Sequence, residues 1–429
     1  MPKKPILPFV FCLLSGCLLL ASPLHAMQIT LSVADITAPG LAARGVRVVL
    51  AQDGAADLGI AELRWTEKIW RKVHVHCAEF LLSSVRMTCR RGKLDSAPDL
   101  PFEVGYNFSA QRMELQVSAA GNERWQVNAD FRVQPWRAEI RLRNAQGRRL
   151  AAMLPPAWPS LVQGVLNGTL RLQGGGAKIS RANADLQLAD LAFADAAGLH
   201  AAEKLAGTLH LEATRAGQQW DWRGAVDWQG GELFWQPLYL RGGNALQASG
   251  QWDGARLQVT QAVAELAEIG KLELTALWDA NKNTLLEATL RGNNLGLERL
   301  FANFARPFLN DSLLAASELS GRGDVDWQYR NGATQALTVA LRDAELTDGQ
   351  KRFMLRGVNA VIPWYADATS QAGISFNEGV LWGAPIGATA WQIAMRGQDF
   401  SAAEIVLPVF DGKLAVQDFH LHNEGGGWQ

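Results

Sequence analysis

The sequence lacks a charge excess of either sign. Its 41 Lys and Arg stand against 42 Asp and Glu, a formal net charge of −1. A general nucleic-acid binder needs a basic surplus to displace phosphate counterions, so that class is excluded. Cysteine and histidine are scarce, with four and seven, which leaves little material for a metal centre. Beyond the N-terminus no apolar run is long enough to span a bilayer. No nucleophile elbow, phosphate loop or His-Glu-x-x-His helix occurs, so neither an enzyme nor a cofactor is expected. What remains is 429 residues, enough for two or three domains, with an ordinary 48% hydrophobic content and a high count of 16 Trp.

The N-terminus is the most readable segment. Lys3 and Lys4 precede an apolar run from Ile6 to Ala21, followed by Ser-Pro-Leu-His-Ala-Met. This is the charged, apolar, small-residue order of a secretory signal, with cleavage after Ala26. Two other readings stay open. Leu14-Ser15-Gly16-Cys17 fits a lipoprotein processing site, although Leu18, Leu19 and Leu20 continue the run past the cysteine. Residues 6–24 are also long enough to stay as an uncleaved inner-membrane anchor. All three readings export the chain, and the periplasm is the expected compartment.

Export changes how the cysteines read. Cys12 and Cys17 fall in the signal, leaving Cys77 and Cys89 in an oxidising compartment. Val73, Val75 and Cys77 share one strand face; Val85, Met87 and Cys89 share another. A hairpin turning near Ser83 sets the two cysteines opposite each other, so a structural disulfide is expected. Eleven intervening residues do not supply redox-active Cys-x-x-Cys spacing.

Period-two alternation dominates the rest. Trp136, Ala138, Ile140 and Leu142 alternate with Arg137, Glu139, Arg141 and Arg143; Leu272, Leu274, Ala276 and Trp278 continue the theme. One apolar and one polar face per strand is the signature of antiparallel sheet with one wet side. Asn331-Gly332 is a strong hairpin signal. The chain also repeats itself: Gly231–Pro237 (GELFWQP) reappears as Gly379–Pro385 (GVLWGAP), an offset of 148. Pro159 with Leu161 maps onto Pro307 with Leu309, Gly168 onto Gly321, Gly198 onto Gly349 and Gly207 onto Gly357. The expected division is 1–26 signal or anchor, 27–150 N-terminal β module with the disulfide, 151–300 first repeat unit and 301–429 second. The second unit stops short of the first, as in a chain lacking part of a unit. Each unit is expected to open with a short amphipathic helix, at Trp158–Leu166 and at Leu297, Leu300, Phe301, Phe304 and Phe308.

Two constellations resemble chemistry. His74 and His76 share a strand face, but Cys77 points away, and two ligands do not make a zinc site; His420 and His422 form a similar pair. Asp324 and Asp326 could serve as an acid and a base, yet they sit on the polar side of a strand, opposite Val325 and Trp327. Solvated strand faces are the better reading of both.

A family resemblance rests on Ile36-Thr-Ala-Pro-Gly-Leu41, on Trp70…Cys77…Cys89-Arg-Arg-Gly92, on repeating Gly-x-Leu strands after helical linkers, and on Leu407-Pro-Val-Phe-Asp-Gly-Lys-Leu414. With these features the chain resembles the YdbH-like branch of the AsmA/TamB group of bacterial envelope proteins. The resemblance implies one long sheet curled into an open groove, apolar inside and polar outside, carrying phospholipid from the inner towards the outer membrane. It implies phospholipid, both membranes and, because the chain is short for bridging the envelope, a further envelope protein or more copies as partners.

The fold expected is therefore mainly β: a long twisted antiparallel sheet forming an open, AsmA-like groove, with short helices between repeats. A sheet with one apolar face must bury it. A groove buries it against acyl chains and a sandwich against a second sheet, and alternation does not separate the two. A ligand-free structural or adhesive β-sandwich array and an outer-membrane barrel stay open as alternatives. The groove-lining residues expected are Leu170, Leu172, Leu209, Leu211, Leu233, Trp235, Leu274, Ala276, Val325, Trp327, Val339 and Leu381.

Overall fold

The computed structural model describes residues 28–429 except 39–40, 66–67, 152–159, 177, 310–313, 425–426 and 429. The signal or anchor expected at 1–26 lies outside the described residues. The protein is mainly β, and all its strand pairings are antiparallel. The chain divides into two units, Met1–Phe108 and Ser109–Gln429.

The first unit is a meander of six strands: β1 (Ile29–Ala38), β2 (Leu41–Leu50), β3 (Ala56–Trp65), β4 (Lys68–Leu82), β5 (Arg86–Leu94) and β6 (Ala97–Asn107). Each pairs with its chain neighbour. Alternation sends Leu31, Val48, Leu58, Val75 and Leu94 to one face, as directly opposed residues. The core of the unit gathers around Ala56, Cys77 and Cys89, with Phe80, Phe102 and Val104 against them. Cys77 and Cys89 are joined in a disulfide with Cα atoms 5.5 Å apart. The hairpin turns at Ser83, but the cysteines are diagonal and not opposite. Cys77 faces Gly92 and Cys89 faces Phe80 in an unbroken register, because the turn closes from Ser83 to Arg86 and is centred beyond Ser83.

In the second unit two short strands near the C-terminus pair separately, and the long ladder holds 21 strands. They are β7 (Arg112–Ser118), β8 (Arg124–Asp130), β9 (Trp136–Gln146), β10 (Ser160–Gly175), β11 (Lys178–Ala194), β12 (His200–Ala216), β13 (Gln219–Trp235), β14 (Leu238–Arg241), β15 (Asn244–Trp252), β16 (Arg256–Leu266) and β17 (Gly270–Asp279). After them come β18 (Thr284–Gly296), β19 (Ser317–Arg330), β20 (Ala333–Asp348), β21 (Phe353–Tyr365), β22 (Thr369–Phe376), β23 (Glu378–Leu381), β24 (Ala384–Ile386), β25 (Thr389–Arg396), β26 (Asp399–Val409) and β27 (Gly412–Leu421). Strands pair in chain order, except that β13 passes over the short β14 to reach β15, β22 passes over β23 and β24 to reach β25, β21 also pairs with β23, and β24 also pairs with β26. No pairing among the described residues joins the first strand to the last, so the ladder is open and not a closed barrel. The insertion of a short hairpin strand occurs twice. It follows Gly231–Trp235 at β14 and Glu378–Leu381 at β24.

Among the described residues helix is confined to two places. One is α1 (Gly147–Ala151), and the other is α2 (Leu297–Leu300), prolonged by wider and tighter turns to Phe308. The second was expected; Leu297 and Phe301 are buried, while Phe308 is exposed. The first was expected at Trp158–Leu166, and that is corrected: Ser160–Leu166 opens β10 and pairs with β11, joined by β9 from Val165 onward. The short apolar spacing of Leu161, Val162 and Val165 yields to the ladder with β11.

A bulge recurs where the strands approach these helices. Asn144, Asn294 and Asp343 take φ of 51°, 53° and 45°. In each case the displaced N–H donates to a side-chain carbonyl or carboxylate oxygen one strand away. Asn144 reaches Asn167 Oδ1 at 2.8 Å, Asn294 reaches Asp324 Oδ1 at 2.8 Å, and Asp343 reaches Asn359 Oδ1 at 3.1 Å. The next residue in each, Ala145, Leu295 and Ala344, is fully buried. Asn and Asp tolerate the left-handed region better than other residues with a Cβ, and the flanking register shift bends the strand.

Candidate functional site: one apolar face of the second unit

Directly paired residues lie on the same face of a sheet. Following the pairings from β7 to β21 traces one row: Leu115, Val127, Ile140, Leu170, Ala184, Leu211, Gly224, Ala248, Ala262, Leu274, Leu290, Trp327, Leu337 and Trp364. Two residues along each strand lies a second row: Val117, Trp125, Leu142, Gly168, Leu186, Leu209, Val226, Leu246, Ala264, Leu272, Gly292, Val325, Val339 and Ile362. Neither row contains a polar side chain. At about 4.8 Å per strand they run for roughly 60 Å along the sheet.

These rows keep contact with solvent. Leu211 is 37% and Leu246 43% exposed, and most of the others are half-buried. A close-packed core would leave such side chains almost no exposure. Near α2 the face is covered: Leu300 and Phe304 pack with Ile269, Leu272, Leu295 and Val325. Beyond β20, Leu297, Ala344, Val358, Phe376 and Ile386 form another buried cluster.

The opposite face carries charge. Between the apolar rows lie Arg141, Thr169, Asp185 and His210, and later Glu273, Arg291, Asp326 and Thr338. A chain of ion pairs crosses five strands. Arg171 meets Glu139 and Asp185 at 3.3 Å each, His210 Nδ1 meets Asp185 at 2.6 Å, and Glu212 bridges His210 and Arg223. The hydrogen bond from Asp185 raises the His210 pKa above its ordinary value, and Arg223 lowers that of Glu212. Asp324 pairs with Arg342 and Asp326 with Arg291, so this carboxylate pair is occupied in the charge ladder. His76 bonds Asp57 at 2.7 Å. Among the described residues no cluster of three or more His, Cys, Asp or Glu could hold a metal, and no helix is long and apolar enough to cross a membrane.

Of the twelve lining residues expected, Leu170, Leu211, Leu274 and Trp327 fall in the first row, and Leu209, Val325 and Val339 in the second. Leu172 and Ala276 stand one row further out, opposite Ala138 and Ala288. The remaining three lie apart from these rows. Leu233 and Trp235 sit past a bulge at Gly231, Trp235 stacking on His200 with ring centroids 4.0 Å apart. Leu381 packs on the buried cluster around Leu297. Sequence reading missed Ile140, Leu142, Leu290 and Leu337 as members of the rows. Their alternation was visible, but which strand opposes which was not.

Two buried carboxylates hold the helical end together. Glu123 accepts from Trp125 Nε1 and the Gln146 N–H, and meets Arg149 of α1 at 3.0 Å. Asp348 is fully buried beneath Arg352, whose Nε and Nη2 donate to it at 2.6 and 2.9 Å. That pairing holds the Asp348 carboxyl down to about 2.

The chain matches no family model, no curated protein and no solved structure.

Proposed function

We propose that the protein is a periplasmic lipid-binding protein that shields phospholipid acyl chains on the apolar sheet face during transfer between the inner and outer membranes. The observation that carries this reading is the pair of uninterrupted apolar rows, spanning fourteen strands and left half-exposed by the protein itself. Soluble monomers expose contiguous apolar patches of only about 300–600 Å². A longer face persists in water when a ligand covers it, and acyl chains are the abundant apolar ligand of a cell envelope. The resemblance to the YdbH-like branch of the AsmA/TamB group points to the same cargo. On this reading the charged outer face keeps the protein in water, and α2 covers one stretch of the apolar face. An enzymatic role has no place in this reading, and the accessibility of the rows favours a groove over a sandwich.

The test is mass spectrometry of lipid extracted from the purified full chain, beside a Leu211→Asp variant. The expected result is co-purified phospholipid in the natural protein, and lipid loss with unchanged circular dichroism in the variant, because a carboxylate at a half-exposed position reaches water. In a sandwich the same substitution buries an unpaired charge and unfolds the unit. Absence of lipid together with an unfolded variant would sink the groove.

A further inference from the structure

The tryptophans of the apolar face are not spread evenly along the strands. Trp136, Trp220, Trp252, Trp278, Trp327 and Trp364 all lie towards the end where tight hairpins join the strands, with Trp222 one step further in on the same face as Trp220. Pairing sets Trp220 opposite Trp252, both Trp252 and Trp278 opposite Leu257, and Leu337 between Trp327 and Trp364. All six rings are half-buried. Trp228 and Trp235 stand towards the other end, and Trp125 in the middle rows, without forming such a strip.

Three indole N–H groups of this strip point to the turns. Trp136 Nε1 donates to Gly176 O at 2.9 Å, Trp327 Nε1 to Thr334 Oγ1 at 3.1 Å, and Trp364 Nε1 to Gly397 O. Trp136 lies against Gly174, where a Cβ would stand 2.6 Å from its ring. These three rings have their polar edge at the turns, and register places Trp220, Trp252 and Trp278 at the same end of their strands. Indoles adopt this arrangement at the boundary between hydrocarbon and water, where bilayers collect them.

Resting on the lipid-binding reading above, we infer that this tryptophan rim holds the glycerol-ester region of a bound phospholipid, with its acyl chains laid along the strands towards the bulges. The dimensions fit. Trp252 to Leu246, like Trp278 to Leu272, is six residues, about 20 Å of strand. The hydrocarbon of one bilayer leaflet is about 15 Å deep. The bulges and α2 close the far end with aliphatic side chains, which suit terminal methyl groups and offer nothing to an ester.

The experiment is fluorescence quenching of the full chain loaded with phosphatidylcholine brominated close to the ester or close to the terminal methyl. The rim's share is the difference between the natural protein and a Trp220→Phe/Trp252→Phe/Trp278→Phe variant. Leu246→Trp, placed in that variant at a half-exposed site, reports the other end. Near-ester bromine is expected to quench the rim's share roughly twofold more than near-methyl bromine, and the Leu246→Trp signal in reverse, because quenching follows depth. Equal or inverted preference with quenching present overturns the orientation and leaves lipid binding standing. No quenching by either lipid overturns lipid binding itself, and the inference with it.

Discussion

The two ends of the strands in the second unit solve different problems. At the bulged end, Asn144, Asn294 and Asp343 turn the chain left-handed, and the residues that follow them are fully buried. Two carboxylates, Glu123 and Asp348, are buried there with arginine partners. At the hairpin end of β9 to β21 no described side chain is fully buried. Aliphatic and indole side chains share one face half-exposed, and the charged network on the other face is open to water. Full burial is concentrated at the left-handed bulges, and an accessible apolar surface is kept towards the hairpins. A sheet that must leave one face uncovered gains its core at the margin.

The comparison breaks first under truncation. Leu295→Ala empties a fully buried site and is expected to cost about 2–5 kcal/mol, whereas Leu211→Ala, 37% exposed, costs about 1 kcal/mol or less. Urea unfolding followed by circular dichroism measures both, and equal losses would dissolve the distinction between the ends. In the first unit, Cys77→Ser removes the disulfide that closes a short loop. It is expected to cost roughly 3 kcal/mol in the chain-entropy account, lowering that unit's urea midpoint while leaving lipid content unchanged.

Acid sharpens the contrast next. The Arg352 guanidinium holds the Asp348 carboxyl at about 2 in the folded chain, against about 3.9 for an unfolded aspartate. The folded form binds the proton less tightly, so the contribution of Asp348 is complete above about pH 4 and is lost as pH falls through about 2. Asp348→Asn is expected to remove that acid-limb dependence from the unfolding midpoint. The smallest effect belongs to His210. Its raised pKa contributes stability that is present below about pH 6.5 and fades as pH rises through the folded value. The group is half-exposed, so solvent screens the effect; comparing midpoints of His210→Gln and the natural protein across that range measures it.

Much of this was legible in the residues, and the exceptions are physical. Alternation at Trp136–Leu142 and Leu272–Trp278 marks strands because a pleated chain sorts side chains to two faces. The disulfide followed from two thiols on neighbouring strands, but not its diagonal register, since the residues alone do not say where between Ser83 and Arg86 the turn is centred. Asn and Asp at 144, 294 and 343 hint at their conformation; Lys204, equally left-handed, does not. The helix expected at Trp158–Leu166 failed because pairing with β11 outweighs a short apolar periodicity. The tryptophan strip went unseen because it exists only across strands: Trp220 and Trp252 are neighbours through register alone.

Pairing in chain order has a consequence for how the molecule comes into being. Within each unit a new strand finds its template among residues made just before it, and the few pairings that skip a neighbour reach past only one or two strands. Contacts are local along the chain, which favours quick folding for a β protein of this size. Growth proceeds from the N-terminal side as one-dimensional extension, with each addition stabilised by its nearest neighbour, as in repeat arrays. Such a ladder has no fixed final length. Duplicating an even number of strands returns the chain to the same face and direction, so evolution can lengthen the apolar track without redesigning what is already folded.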